Sequence, residues 1–239
     1  MTAKLKPRQA ATVILLRPAA SDGFEVFLTR RPDNMPFLGG MYCYPGGRVN
    51  KEDYVPAMLE RCTGLSPNQA RKMIGAQFNP REALGLWVAA VRELFEEVGV
   101  LLAVDSSGRN FSTNTAQTEW LSVKHGQLIA KSIDFLALLK SAGLCCDLTS
   151  LAPFSYWQTP GQFSLRFDTR FFIAALPEGQ IPMATSYEVA HSLWLTPDQA
   201  MKLFTEKDLP MIFPTFAALR TLADFQTLES VFQEFRRPL

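Results

Sequence analysis

A single 19-residue segment, residues 80–98, constrains the fold of this chain more than any other part of the sequence. It starts with Asn79-Pro80, a capping side chain followed by proline at the first helical position, and it stops before Gly99, which suits a left-handed helix end. Apolar residues recur along it at steps of three and four, namely Leu84, Trp87, Val91, Leu94 and Val98. That spacing predicts an amphipathic helix over 80–98 whose apolar stripe packs on another layer.

Short β-prone runs alternate with helical patterns on both sides of this helix. The predicted strands are 11–16, 24–29, 165–176 and a short run that ends near Trp194, and the predicted further helices are 115–142 (one or two), 197–205 and 214–235. Strands interleaved with helices predict an α/β domain in which helices cover a mixed sheet. No linker composition separates these segments, so we interpret residues 1–239 as a single domain, with C-terminal helices in 197–239 as an extension.

The charges of the chain are nearly balanced, with 24 lysines and arginines against 23 aspartates and glutamates and a formal net charge of +1. This balance excludes an overall basic field of the kind that attracts nucleic acid or a membrane surface. No apolar run is long enough to span a bilayer, and the apolar stretch after the basic N-terminus is too short for a secretory signal. We therefore expect a cytoplasmic protein with no nucleic-acid or membrane partner.

The chain has four cysteines and two histidines. The cysteines are Cys43, Cys62, Cys145 and Cys146, and none of them forms a C-x-x-C pair. This composition argues against a zinc site. We interpret the cysteines as small, reduced, hydrophobic residues.

Three glutamates lie in the last turns of the predicted helix. Glu93, Glu96 and Glu97 are three and four residues apart and can point to one side. They repel one another and stand at the negative end of the helix dipole, and only Arg92 is close enough in sequence to pair with Glu96. One interpretation is a solvated acidic face. The other is a site for Mg²⁺ or Mn²⁺, the hard cations that clustered carboxylate oxygens bind.

A glycine pair precedes the helix, in the segment Tyr44-Pro45-Gly46-Gly47-Arg48. Paired glycines let a backbone come close to a phosphate, and a neighbouring arginine suits a charged phosphate oxygen. Taken together with the acidic helix end, this segment favours the metal-site interpretation and a phosphate-containing substrate.

Residues 92–100 read RELFEEVGV and resemble the second half of the Nudix hydrolase signature, G-x5-E-x7-R-E-U-x-E-E-x-G-U, in which U is aliphatic. The first glycine of that signature corresponds to Gly47. The distance from Gly47 to Arg92 is about 31 residues longer than in the signature, and Leu84 stands eight residues before Arg92, where the signature has glutamate. We therefore interpret residues 51–79 as a helical insertion inside the signature.

An inserted signature is similar to that of one Nudix branch, the coenzyme A diphosphatases. The similarity extends to a W-x-T-P motif that begins at Trp157 and to the segment RFDTRFF over residues 166–172. The resemblance implies a three-layer α/β/α sandwich and water attack on a phosphoanhydride bond. It also implies a divalent ion, Mg²⁺ or Mn²⁺, held by Glu93, Glu96, Glu97 and the backbone carbonyl of Gly46.

Other site residues follow from the same resemblance. A further acid often lies six residues before a tryptophan, and Glu188 holds that position relative to Trp194. Glu188 is thus a candidate extra ligand or general base, and the choice of base between Glu93 and Glu188 stays open. The candidate catalytic residues are Glu93, Glu97 and Glu188, although a surface carboxylate in a turn is an equal interpretation of Glu188. Charge and position, rather than the resemblance, make Gly47, Arg48, Arg30 and Arg166 the candidate substrate-binding residues, and a charge at a strand edge is an equal interpretation of Arg166.

The function that the resemblance implies is hydrolysis of coenzyme A or acyl-coenzyme A to 3′,5′-ADP and 4′-phosphopantetheine or its acyl form. One alternative keeps the chemistry with ADP-ribose or another nucleoside diphosphate derivative as the substrate. Another is a Nudix-fold binding module without turnover. A homodimer is consistent with the family.

Overall fold

The apolar run at residues 11–16 forms the centre of the main sheet in the computed structural model, which describes residues 6–20, 22–111, 115–183 and 186–236. The strands are β1 (Arg8–Pro18), β2 (Phe24–Arg30), β3 (Tyr42–Cys43), β4 (Gly46–Arg48), β5 (Cys62–Thr63), β6 (Ala103–Val104), β7 (Cys145–Asp147), β8 (Ala152–Gln158), β9 (Phe167–Ala175) and β10 (His191–Leu195). The helices are α1 (Pro56–Leu59), α2 (Pro67–Ile74), α3 (Pro80–Val98), α4 (Thr115–Ile129), α5 (Phe135–Ala142), α6 (Pro197–Glu206), α7 (Phe213–Leu222) and α8 (Leu228–Phe235), with 3₁₀ turns at Lys51–Tyr54 and Leu148–Ser150.

The main sheet is mixed, as the sequence predicts. Its order is β10-β2-β1-β9-β8, with β3 also paired to β2 and β4 to β1. Strands β1 and β9 run parallel, whereas β1 pairs antiparallel with β2 and with β4. Strands β1 and β2 are consecutive and form a hairpin in which Leu16 pairs with Val26.

Strand β1 is buried on both faces because helices cover both sides of the sheet. Val13 and Leu15 pack in a core with α3, while Ile14 and Leu16 pack in a second core with the C-terminal helices. Successive side chains of a strand point to opposite faces, so a strand between two helical layers reads as a continuous apolar run. The predicted α/β/α sandwich is confirmed.

Helix α3 has the predicted bounds, and both of its ends are formed by the predicted residues. The side chain of Asn79 accepts a hydrogen bond from the amide of Arg81, and Gly99 adopts φ 69°, a left-handed conformation. In the middle of the helix, Trp87 is fully buried and its ring lies 4.9 Å from that of Phe172 in β9. The apolar side of α3 thus packs on the centre of the sheet.

The structure corrects the prediction at the C-terminus. The helix predicted over 214–235 is two helices, because α7 ends at Leu222 and α8 begins at Leu228. The residue before α8 is the N-cap Thr227, whose hydroxyl accepts from the amide of Ser230. The predicted domain and its extension include residues 1–5 and 237–239, which lie outside the described residues. Among the residues described, none of the helices has the length and apolar character needed to cross a membrane.

The segment predicted as a helical insertion is a mixture of elements. Residues 51–79 contain a 3₁₀ turn, α1, β5 and α2. Strand β5 pairs with β7 in a second, three-stranded sheet of order β5-β7-β6. The insertion also packs directly on α3, since a Cβ atom at Gly85 would lie 3.0 Å from the Tyr54 ring. It is therefore part of the layer that carries the acidic helix.

Candidate active site

The glycine pair predicted as a phosphate loop is a short strand, β4, that lies between β1 and the end of α3. A Cβ atom at Gly47 would stand 2.5 Å from Oε2 of Glu93, and one at Gly46 would stand 2.5 Å from the carbonyl oxygen of Ala11. Real Cβ atoms do not approach so closely, so only glycine fits at either position. The amide of Gly46 donates to Oε2 of Glu97 at 3.3 Å. The two glycines thus let the glutamates of α3 reach the sheet backbone.

Arg92 is held by an acid that the sequence analysis did not select. Its Nε donates to Oδ1 of Asp53 at 2.7 Å and its Nη2 to Oδ2 of Asp53 at 2.9 Å. Nη2 also donates to the carbonyl oxygen of Arg48 at 2.9 Å. Both side chains are buried, with Asp53 2% and Arg92 6% exposed. The two parallel hydrogen bonds are the geometry that an arginine fork prefers with a carboxylate.

Asp53 occupies the place of the glutamate in the Nudix signature. Counted backward from Arg92 that place falls on Leu84, which is buried in the core. Counted forward from Gly47 it falls six residues on, at Asp53. The extra residues thus lie after Asp53, and the insertion begins later than residue 51.

Arg92 also organises two of the three predicted metal ligands. Its Nη1 donates to Oε1 of Glu93 at 2.7 Å and to Oε2 of Glu96 at 2.9 Å. The predicted pair of Arg92 and Glu96 is therefore confirmed. One guanidinium group joins Asp53, Glu93 and Glu96, so the position of the acidic cluster depends on the position of Arg92.

The three glutamates at the end of α3 have raised pKa values. Burial raises the pKa of Glu93 to about 7, although the charge of Arg92 opposes this shift. Burial, together with the negative charges of Glu93 and Glu188, raises the pKa of Glu97 well above its usual value. Burial likewise raises the pKa of Glu96. A group of buried acids whose ionised forms are all disfavoured is a favourable environment for a cation.

Glu188 lies beside this group, as the sequence analysis predicts. Its charge contributes to the raised pKa of both Glu96 and Glu97. Oε2 of Glu188 lies 3.3 Å from Nη2 of Arg31, whose Nε donates to the carbonyl oxygen of Phe37. The charge of Arg31 also favours the ionised form of Glu97. Arg31 is therefore a member of the site, whereas the sequence prediction selected its neighbour Arg30.

The other predicted substrate-binding arginines occupy different surroundings. Arg30 is the last residue of β2, and its Nη2 pairs with Oδ1 of Asp33 at 2.6 Å. Arg166 precedes β9, and its Nε donates to the carbonyl oxygen of Thr159. The Arg48 side chain is exposed next to Gly47.

His125 supports the acidic end of α3 from the neighbouring helix. It is buried in α4, and its Nε2 donates to the carbonyl oxygen of Glu96 at 2.9 Å. Its ring also packs edge-on against Phe95. This contact satisfies one of the carbonyl groups that a helix leaves without an internal partner at its C-terminus.

The donor set fits a hard divalent cation, although the side chains are not drawn around a common point. In the described parts of the chain, no group of three or more His, Cys, Asp or Glu side chains is arranged to hold a metal ion. At this site Arg92 engages one oxygen each of Glu93 and Glu96. Carboxylate oxygens next to a backbone strand are nevertheless the ligands that Mg²⁺ and Mn²⁺ prefer.

Comparison with known proteins agrees with this arrangement. Residues 7–222 match the NUDT19 Nudix domain family. The chain is 26% identical to the acyl-coenzyme A diphosphatase NUDT19 of Gallus gallus, over 94% of this chain and 70% of that protein. It is also 26% identical to the protein of that name from Homo sapiens, over 97% of this chain and 74% of that protein.

A solved structure shares both the fold and part of the sequence. The crystal structure of a NUDIX hydrolase from Alicyclobacillus acidocaldarius superposes with a TM-score of 0.78 and is 28% identical, and the match covers 97% of each chain. Since the family match includes β4, the insertion and the acidic helix, the chain belongs to the NUDT19 Nudix domain family of the Nudix hydrolases.

Proposed function

We propose that this chain is a Mg²⁺- or Mn²⁺-dependent hydrolase that cleaves the phosphoanhydride bond of coenzyme A and its acyl esters. The products are 3′,5′-ADP and 4′-phosphopantetheine or its acyl form. The observation that carries the proposal is that Glu93 and Glu97 both reach the glycine strand β4, where burial raises the pKa of each and a bound cation would favour the ionised carboxylates. The acyl-coenzyme A diphosphatase activity named for the relatives supports this substrate class.

Glu93, Glu96, Glu97 and the carbonyl oxygen of Gly46 would hold the metal ion. Such an ion neutralises charge on the diphosphate and lowers the pKa of a bound water. Arg92 engages only one oxygen of Glu93 and one of Glu96, so it orients these carboxylates without taking both oxygens of either. Asp53 and the Arg48 carbonyl in turn hold Arg92.

Two acids are candidates for the general base. Glu93 lies against Gly47 of β4, and burial raises its pKa to about 7 without a metal ion, a shift that a bound cation would oppose. Glu188 comes from the loop before β10 and is oriented by Arg31. Replacing each by glutamine separates them: the variant that lacks the base loses the acidic limb of the pH profile of kcat, and the other keeps it.

The substrate side of the site lies around β4. The exposed guanidinium of Arg48 stands next to Gly47 and is suited to a diphosphate oxygen. Arg30, which pairs with Asp33, and Arg166, which donates to the Thr159 carbonyl, are proposed as contacts to more distant parts of the substrate. Homodimer formation and a cytoplasmic location stay predictions from the sequence.

A direct test is to incubate the protein and Mg²⁺ with coenzyme A, a long-chain acyl-coenzyme A, ADP-ribose, NADH and a diadenosine polyphosphate. We expect coenzyme A or its ester to give the highest kcat/KM and 3′,5′-ADP to accumulate. If kcat/KM for ADP-ribose exceeds that for coenzyme A by orders of magnitude, the proposal is wrong and the protein is the second candidate, an ADP-ribose pyrophosphatase. Ligand binding without turnover of any compound would indicate a binding module.

A further inference from the structure

Two cysteines face each other across the strands that join the insertion to the body of the domain. Strands β5 and β7 run parallel, and their register places Cys62 directly opposite Cys146. The amide of Cys146 donates to the carbonyl oxygen of Arg61 at 2.8 Å, which holds this register. Residues that face each other on paired strands have Cα atoms about 5 Å apart, inside the range of about 4.4–6.8 Å that a disulfide spans.

The thiols of these cysteines also face the same side of the small sheet. Opposite residues of a parallel pair point the same way, so the side chains of Cys62 and Cys146 lie next to each other on one face of the small sheet. Neighbouring Cys145 points to the other side of β7, because side chains alternate along a strand. Cys62 and Cys146 therefore form a pair from which Cys145 is excluded.

The two members of the pair differ in exposure. Cys62 is partly exposed, and its Sγ donates to the carbonyl oxygen of Met58 at 3.3 Å. Cys146 is fully buried, and its contact with Cys62 together with burial raises its pKa well above the usual value. An oxidant thus reaches Cys62 first, and Cys146 is placed to complete the reaction.

We propose that Cys62 and Cys146 are a redox-modification site at which a hydroperoxide forms a reversible disulfide between the insertion and the body of the domain. In the first step the sulfur of Cys62 attacks the peroxide and the O–O bond breaks, which leaves a sulfenic acid on Cys62 and releases water when hydrogen peroxide is the oxidant. In the second step the sulfur of Cys146 attacks the sulfenic sulfur and expels a second water. Two electrons pass from the two sulfurs to the peroxide, and both thiol protons leave in the waters.

The link acts on the part of the chain that positions Arg92. Cys62 contacts Met58 in α1, which follows the turn that carries Asp53, and the charge of Asp53 reaches the Cys146 thiol. A covalent bond between β5 and β7 restricts local opening of the insertion, since it closes a long loop. The oxidised form therefore holds Asp53 against Arg92 more persistently than the reduced form.

The test is a peptide map of the intact wild-type protein after treatment with hydrogen peroxide under non-reducing conditions. We expect a linked peptide that joins Cys62 to Cys146, whose mass is about two units below the sum of its parts because two hydrogens leave. Dithiothreitol separates the linked peptides again. Limited proteolysis of the insertion is expected to slow about tenfold after oxidation, because cleavage follows the open population.

Three variants control this experiment. Cys62→Ser and Cys146→Ser abolish both the linked peptide and the slower proteolysis, whereas Cys145→Ser keeps both. The proposal is overturned if the wild-type map lacks the 62–146 link, if Cys145 replaces Cys146 in it, or if the link forms without changing proteolysis. The wild-type map gives this answer even where a serine variant folds poorly.

Discussion

Asp53 and Arg92 stand 39 residues apart in the chain and form a buried, two-bond ion pair, with Nε to Oδ1 at 2.7 Å and Nη2 to Oδ2 at 2.9 Å. Arg92 then divides its remaining hydrogen bonds between Glu93, Glu96 and the Arg48 carbonyl. Through this one side chain, the turn that precedes the insertion determines how the acidic end of α3 is held.

Replacement of Asp53 by asparagine is expected to lower the free energy of unfolding by about 3 kcal/mol, because removing one partner of a buried pair leaves the other charge uncompensated. Glu93 and Glu96 still neutralise part of the Arg92 charge, so the loss falls at the low end of the usual range. Urea denaturation measures it. The matched control is Glu52→Gln, at an exposed neighbour in the same turn, which should change stability by less than about 0.5 kcal/mol.

Gly47→Ala is expected to reduce activity while most of the fold persists. The new methyl group would meet the Glu93 carboxylate at 2.5 Å, so that side chain must move away from β4. A shift of about 1 Å at a reacting centre can lower kcat about a hundredfold. Steady-state kinetics with thermal melting distinguish this displacement from unfolding.

The matched control is Gly126→Ala, in helix α4, where an added Cβ meets nothing within 4 Å. This change should leave kcat unchanged and raise stability by about 0.5–1 kcal/mol, since alanine is the better helix former. Equal activity losses in both alanine variants would argue against the Gly47–Glu93 contact as the cause.

Glu97→Gln is expected to abolish turnover, with a fall in kcat of about 10²–10⁴, without lowering the melting temperature. The buried Glu97 carboxylate has a raised pKa because its charge is disfavoured by burial and by Glu93 and Glu188. A neutral amide of the same shape removes that unfavourable charge. Calorimetric titration with Mg²⁺ should show weaker binding by the variant, and wild-type activity in this variant would remove Glu97 from the site.

In EDTA, stability is expected to fall as the pH rises from about 4.5 to about 7. The folded-state pKa of Glu93 is raised from 4.5 to about 7, so in this window the folded protein binds a proton that the unfolded chain has lost. The contribution of Glu93 is present below pH 4.5, declines through the window by about 3 kcal/mol and is constant above it.

Denaturation curves of wild type and Glu93→Gln at several pH values isolate this contribution. The difference between the two proteins should change with pH only inside the window. Added Mg²⁺ should flatten the wild-type curve, because a bound cation favours the ionised carboxylate. A difference that is constant from pH 4 to 8 would contradict the raised pKa.

The spacing of apolar residues is enough to predict the long helices and strands of this chain but not the short ones. Helix α3 and strand β1 have patterns of many residues, and both are where the sequence predicts them. Strands β5 and β6 have two residues each, too few to show any period. Strand β8 was not predicted because its second half is exposed at the sheet edge and therefore has no apolar face.

The sequence predicts the part of the site whose residues lie close together in one helix. It does not predict the residues that the fold brings there from distant parts of the chain. Glu93, Glu96 and Glu97 share one helix end, so their proximity follows from helical geometry. Asp53 was not predicted, because the insertion separates it from Arg92 in the sequence. Only its distance of six residues from Gly47 matches the position of the glutamate in the signature. His125 gave no signal at all, since an isolated histidine does not show which carbonyl group it will meet.

The two ends of the insertion are anchored independently, by the Asp53–Arg92 pair at one side and by the Asn79 cap of α3 at the other. Chain length between two fixed anchors changes the entropy of loop closure only slowly. A protein engineer can therefore vary the length of the exposed turns between these anchors without displacing the acids of α3, whereas Met58 and Ala70, which are buried in the core, have to be retained.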